Sequence, residues 1–429
     1  MSEITKPIVL DETAQKMAEA LMGIERALYR KSYTLYTIHI SGSEGDCASK
    51  ITYMDDAVGM TPAKMDFDNG TFNYGSWKNA FFMPKPCMVR QSGGVDYYLD
   101  QENYDLKEDG TASDVGNTAY PGNAMMEWGQ NGKKIWYKII PDKNDESSAT
   151  IHISDMQLDS DYVTYSFVNN QGHTVEHFYT PIYNGSNIDS VLRSLSGQKV
   201  SGSRSGTDEI SMAKANNKDG NVCWYTEVFA DRILINMLLL LMFKTTDIPS
   251  ALGRGIDSGS EAAFNSYTTG ALNEKGMFFG YNDGTHAVKV FGMENWWGLQ
   301  WRRTAGYVND KGAQKVKMTY GMQDGSTAEG YNTDGTGYIS AGSCPALSGS
   351  YISKMRYVKN CFVVSEGSGS SSTHYPDGSW SNNGQNNYAL FGADAAPGLL
   401  AGPFAVYLGH PVSIAWWDAG AALSYKPLG

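Results

Sequence analysis

The chain has 429 residues, 41% of them hydrophobic and 19% charged, a balance that supports a sizeable core and two to three domains by length. Its formal net charge is −12, and its densest basic cluster is the pair Arg302 and Arg303. The basic stripe that binding to nucleic acid requires is missing, so no nucleic-acid partner is expected. The 47 Gly, 27 Tyr and 10 Trp favour turns, short strands and aromatic contact surface over helical bundles.

Taken in chain order, the first residues carry Glu3, Lys6, Asp11 and Glu12 with no apolar stretch, so no secretory signal is expected. Leu10, Ala14, Met17, Leu21, Ile24 and Leu28 then recur at spacings of four and three. They form a heptad seam on one helix within residues 1–32, suited either to self-association or to packing on its own domain. A β-rich region follows over residues 33–130, with TLYTIHI and VDYYLD alternating in the strand manner between turns such as DNG and QSGG. KKIWYKII, ATIHISDM, DYVTYSFV and HFYTPIYNGSN read as further strands.

Two helices come next. TDEISMAKANN offers Thr207 as N-cap with acids in its first turn. NVCWYTEVFADRILINMLLLLMF is apolar on most faces and belongs in the core. Its longest apolar run, Ile233 to Phe243, is interrupted by Asn236 and falls short of the roughly 20 apolar residues of a membrane span, so no membrane insertion is expected. Beyond Pro249 the chain is rich in loops and short strands, and SEGSGSSS is its most flexible-looking stretch.

Motifs for chemistry are weak. HTVEH, His173 to His177, matches the inverted zinc-protease string, which needs two His one helical turn apart. Its flanks favour strands, which place the two His too far apart for one ion. Asp55–Asp56 and Asp159–Asp161 read as solvated loops rather than calcium ligands. SGSEG at Ser41–Gly45 lacks the helix of a nucleophile elbow, and no glycine-rich string carries GKS or GKT. The scattered Cys47, Cys87, Cys223, Cys344 and Cys361 form no CxxC pair and read as reduced thiols of a protein made in a cytoplasm. No cofactor, no metal and no enzymatic activity are expected. In VFGMENWWGLQWRRTAGYV, Trp296, Trp297 and Trp301 beside Arg302 and Arg303 suggest core packing with guanidinium groups on indole faces.

The segment from Tyr388 to Tyr425 contains no Glu, Gln, Lys, Met or Asn. Small and apolar residues alternate there with a few bulky ones, an odd composition for an exposed strand pair. On extended chain, Tyr407, Gly409, Val412, Ile414 and Asp418 fall at mostly two-residue intervals, with Val406, Leu408 and Trp417 turned to the core.

The succession DDAVGMTPAKMD, LRSLSGQKV, MFKTTDIPSALGRG, VFGMENWWGLQWRRTAGYVND, GSYISKM and AGPFAVYL with WWDAGAALSYKP resembles the variable proteins of diversity-generating retroelements of the phage and prophage tail type. These strings are spread over residues 54–427, and their order carries the resemblance. It implies an α+β chain, mostly β and loop-rich, with a C-type-lectin-like domain of the formylglycine-generating-enzyme subtype over residues 131–429. ENWWG resembles that subtype's GNxWEW element. The catalytic cysteines of the true enzymes are missing after Cys361.

The resemblance further implies that adenines of Asn codons in segment 388–425 are mutated, which never yields Glu, Gln, Lys, Met or Trp. Trp416 departs from that rule, so it and Trp417 read as scaffold. The variable, ligand-binding face implied is Ala393, Asp394, Ala396, Pro397, Leu399, Leu400, Tyr407, Gly409, His410, Val412, Ile414 and Asp418. Gly402, Phe404, Leu408, Gly420 and Leu423 are its scaffold. The expected role is a receptor-binding adhesin on a phage tail. It would be made in the bacterial cytoplasm, assembled as a trimer with other tail proteins, and directed at a host cell-surface protein or glycan. A structural tail or baseplate protein and a formylglycine-generating-type enzyme are the alternatives.

Overall fold

The computed structural model describes Thr13, Met17 and residues 33–218, 223–319 and 330–428. Strand makes up 36% against 12% helix, so the chain is mostly β with abundant loops. The expected N-terminal helix and its seam lie outside the described residues, apart from Met17, which is helical and exposed.

Three main sheets carry the architecture. In the first, Leu35–Ile40 runs antiparallel between Ile51–Asp55 and Asp145–Ser154, and Trp136–Asp142 flanks the latter. The alternation of TLYTIHI holds from Ile38 to Ile40, with both isoleucines buried and His39 half exposed, but Thr37 on the His39 face is fully buried as well. The second sheet is antiparallel throughout, in the order Trp224–Thr226, Leu423–Tyr425, Phe178–Pro181, Gly122–Trp128, Lys85–Arg90, Val95–Tyr98. The third and largest has the order Ile339–Ser343, Ala313–Val316, Trp301–Asp310, Asn386–Phe391, Val406–Leu408, Tyr375–Ser381, Ser348–Ile352. Val406–Leu408 pairs parallel with Tyr375–Ser381, and Ala419–Gly420 adds a short parallel pairing to Trp301–Asp310.

The expected boundary at residues 130/131 does not separate two structural units. Leu35–Ile40 pairs with Asp145–Ser154, and Gly122–Trp128 pairs with Phe178–Pro181, so two sheets straddle it. One buried cluster also joins Ile38, Met88 and Met126 to Tyr307, Ala389 and Val406.

The helix Phe229–Phe243 is buried at all fifteen positions, as a helix apolar on most faces must be, with Asp231, Arg232 and Asn236 buried among its apolar residues. Each of its leucines contributes about 1.5–3 kcal/mol by leaving water. Phe229 stacks on Phe391 at 5.9 Å and tilts against Tyr307 at 4.8 Å, which seats the helix on the large sheet. Asn236, which interrupts the apolar run, accepts from Trp296 Nε1 at 3.0 Å and donates to the Pro403 carbonyl at 2.8 Å. The polar interruption thus ties the core to the backbone just before Val406–Leu408. Arg232 lies 3.6 Å from the Trp296 ring centroid and pairs with Glu227 at 2.7 Å, so a guanidinium does stack on indole in this core.

Two local expectations are corrected. DYVTYSFV is no strand: Val163 makes an isolated bridge to Tyr137 and Tyr165–Phe167 is a 3-10 turn. The helix Gly206–Lys214 is capped by Ser205 rather than Thr207, because Ser205 and Asp208 form a reciprocal capping box. SEGSGSSS is pinned beside the first sheet by the bridge of Thr373 to Asp46. Among the described residues no helix is long and apolar enough to cross a membrane.

Candidate functional site

Strand register builds the site. Tyr407 lies opposite Trp380 on one side and Leu390 on the other, so the three side chains form a row across one face of the large sheet. Tyr407 stacks on Trp380 with ring centroids 5.9 Å apart and planes 7° apart. Trp301, from the next strand, meets both edge-on, at 5.3 Å from Trp380 and 5.6 Å from Tyr407.

Two loops raise walls on this row. His410 stacks on Tyr407 at 4.4 Å and Trp416 meets His410 edge-on at 4.1 Å. On the other side Asp394 folds back to accept from the Ala396 amide at 2.7 Å and from Trp301 Nε1 at 3.2 Å. The result is an open cleft of about 240 Å³ lined by Trp301, Trp380, Tyr407, His410 and Trp416 together with Asp394 and Asp418.

Asp418 is 9% exposed and its carboxyl hydrogen-bonds that of Asp394. Burial, and then the neighbouring Asp394 carboxylate, push Asp418 up to about 7. Burial and the Arg303 guanidinium lower His410, which leaves its imidazole neutral at physiological pH. Burial and the charge of Asp418 raise the Tyr407 phenol. Among the described residues Asp418 Oδ1 and His410 Nε2 have no hydrogen-bond partner.

The loop 409–418 is held by its main chain. The carbonyls of His410, Val412, Ile414 and Trp416 accept, in turn, from the Tyr388 amide at 2.9 Å, the Gly206 amide at 2.7 Å, Arg303 at 2.6 Å and the Ser203 amide at 2.9 Å. Arg303 is itself buried and paired with Glu209, which burial raises to about 7 despite that guanidinium. The preceding loop is held likewise: the Ala395 carbonyl accepts from Gly259 at 2.6 Å and the Gly398 amide donates to Asp257 at 2.8 Å.

Of the twelve residues expected to form the variable face, Asp394, Ala396, Pro397, Tyr407, His410 and Asp418 line the cleft. Leu399 is 52% exposed, and Leu400, Val412 and Ile414 are partly exposed, all four outside the cleft lining. Ala393 and Gly409 are corrections. Ala393 is fully buried at φ 74° in a small apolar cluster with Trp301 and Leu390. Gly409 is buried, and a Cβ there would lie 2.5 Å from the Tyr407 ring.

The alternation drawn across residues 407–418 fails because only Val406–Leu408 is strand and the rest is loop. Val406 and Leu408 do face the core, whereas Trp417 is half-buried against Phe264. Trp416, assigned to the scaffold, is 48% exposed and stands in the cleft wall. Trp380 went unnoticed: its place depends on a parallel pairing with Tyr407, 27 residues on, for which local alternation holds no signal.

The other motifs assemble no site. His173 and His177 lie on irregular chain before Phe178–Pro181, neither helix nor strand, and His177 Nδ1 sits 3.3 Å from the Trp128 carbonyl. Asp159 and Asp161 both pair with Lys138 at 3.1 Å, and Asp56 caps the Leu35 amide at 2.9 Å. All five cysteines are free and buried. Among the described residues no group of three or more His, Cys, Asp or Glu is placed to hold a metal ion. No protein-family model and no curated protein matches the chain.

Proposed function

We propose that this chain is a ligand-binding protein whose binding face is the aromatic cleft of segment 388–425, and that side chains on that face are exchangeable. The observation that carries the reading is the anchoring of the loop 409–418 through four alternate carbonyls by donors outside it. A loop fixed by its main chain keeps its course when its side chains change. Rigid aromatics among small residues on a fixed scaffold are how paratopes make contact. The resemblance to variable proteins of diversity-generating retroelements points the same way and adds a C-type-lectin-like fold, a phage-tail location, trimeric assembly and a host-surface partner. Non-enzymatic binding is the role proposed. Three copies would raise avidity without new contacts.

The test is paired. Purified protein is measured for thermal stability and for adsorption to a panel of bacterial cells, as wild type, Tyr407→Ala and Trp297→Ala. Tyr407→Ala should stay folded with a smaller fall in melting temperature than Trp297→Ala, and should lose adsorption. Adsorption unchanged in a folded Tyr407→Ala protein overturns the reading. An independent check is the flanking DNA, where a near-copy of the coding sequence for 388–425, differing only at adenines, should lie close to a reverse-transcriptase gene.

A further inference from the structure

The floor and walls of the cleft differ in chemistry, and together they specify a complement. The walls are the rings of Trp380, Tyr407, His410 and Trp416, whose faces carry negative electrostatic potential. The floor is the carboxyl pair of Asp394 and Asp418. Asp418, one of the residues lining the cleft, is 9% exposed, and its buried Oδ1 has no donor among the described residues. A buried acceptor left unmatched is unfavourable, and a ligand that brings a donor relieves it.

No Lys or Arg lines the cleft. Arg303 lies behind the loop and is committed to Glu209 and to the carbonyls of Arg204 and Ile414. The site therefore offers acceptors, negative charge and ring faces, and it lacks a cation. Neutral sugars would use the rings and leave the charge unmatched, and an anion would be repelled.

We propose that the cleft binds a primary ammonium group carried on an aliphatic stem, of the lysine side-chain kind, with its N–H groups on Asp418 and Asp394 and its methylenes between the aromatic walls. This rests on the reading of the cleft as the binding site and names the ligand chemistry for this particular set of side chains. Charge-assisted hydrogen bonds and cation–π attraction then act on one group. Because Asp418 carries a proton through mildly acidic pH, the ammonium must displace it there, so binding weakens as pH falls below about 7. The groups facing Asp418 that enter this titration are Asp394, Tyr407 and Arg303, with His410 across the cleft and Glu209 behind Arg303.

The test uses n-butylammonium, its neutral counterpart butan-1-ol, and choline, which has a positive charge but no N–H. Titration calorimetry and quenching of the cleft tryptophans are recorded at pH 8 and pH 6. Butylammonium should bind at least tenfold more tightly than butan-1-ol at pH 8, more tightly than choline, and more weakly at pH 6. Asp418→Asn, verified as folded by its melting curve, should bring butylammonium down to the level of butan-1-ol, and Trp416→Phe should remove part of the quenching. Equal binding of butylammonium and butan-1-ol, or affinity retained in Asp418→Asn, overturns the proposal. If that happens while Tyr407→Ala still abolishes cell adsorption, the ligand class is wrong and the cleft remains the binding site. If Tyr407→Ala leaves adsorption intact, the reading of the cleft falls as well.

Discussion

Arg303 donates to the carbonyl of Ile414 at 2.6 Å from inside the core, where its other nitrogen is paired with Glu209. One buried ion pair thereby fixes both the helix Gly206–Lys214, which carries Glu209, and the loop that forms a cleft wall. Arg303→Met leaves Glu209 buried without its partner, and the expected loss is about 3–5 kcal/mol. Adding Glu209→Leu should return much of that stability while amide exchange across residues 410–416 stays fast. Urea unfolding and hydrogen exchange read the two effects separately. Full recovery of exchange protection in the double variant would show that the loop does not depend on Arg303.

Asp418 sets a pH dependence of stability. Its folded pKa of about 7 lies above the ordinary Asp value of 3.8. Its contribution is therefore fully present below the unfolded value and lost as pH rises through about 7. Asp418→Asn removes the charge that burial and Asp394 disfavour. The melting temperature of the variant relative to wild type should rise between pH 5 and pH 8, and a constant difference would contradict the assignment.

The loop and its supports should respond differently to substitution. Val412→Thr, Ile414→Thr and His410→Asn should each change stability by no more than about 1 kcal/mol, because their anchors are main-chain carbonyls. Gly402→Ala and Gly420→Ala should each cost about 1–3 kcal/mol by overpacking. A Cβ at Gly402 would lie 2.1 Å from Asp377 Oδ1, and one at Gly420 would lie 2.2 Å from Gln300 Nε2, both in buried side chains. Chemical denaturation of the five variants checks the contrast.

Three tryptophans in different settings make a graded series. Trp297 is fully buried and donates to the Gly253 carbonyl at 3.1 Å, so Trp297→Ala should cost about 3–5 kcal/mol. Trp417→Ala should cost less, since part of its indole already faces water. Trp416→Ala, at 48% exposure, should stay within about 0.5 kcal/mol while altering the cleft. Thermal melts of the series place the three in that order, and a large loss at Trp416 would make it a support rather than a wall.

What the sequence disclosed follows from how local each feature is. The core helix was legible because Ile233–Phe243 is apolar on most faces, with Asn236 its one interruption, and Leu35–Ile40 and Val95–Tyr98 because their alternation has a period of two. Trp301–Asp310 shows no such alternation. Nine of its ten residues are buried, including Arg302, Arg303, Thr304 and Asn309, each with a hydrogen-bond partner far away in sequence. Half of the expected face reached the cleft because composition marks a segment but not its course. Ala393 and Gly409 went inside because the turn and the Tyr407 ring leave no other place for them. Trp416 came outside because the loop leaves the sheet after Leu408.

The strand Leu423–Tyr425 sits between Trp224–Thr226 and Phe178–Pro181, both synthesised before the whole of the large sheet. The second sheet therefore stays open on the ribosome until segment 392–418 has been made and has led the chain back to it. A version of that segment unable to take up its loops also withholds the closing strand, and the core beneath it stays incomplete. Faults in the segment that forms the cleft are thus exposed as incompletely folded protein, open to proteolysis.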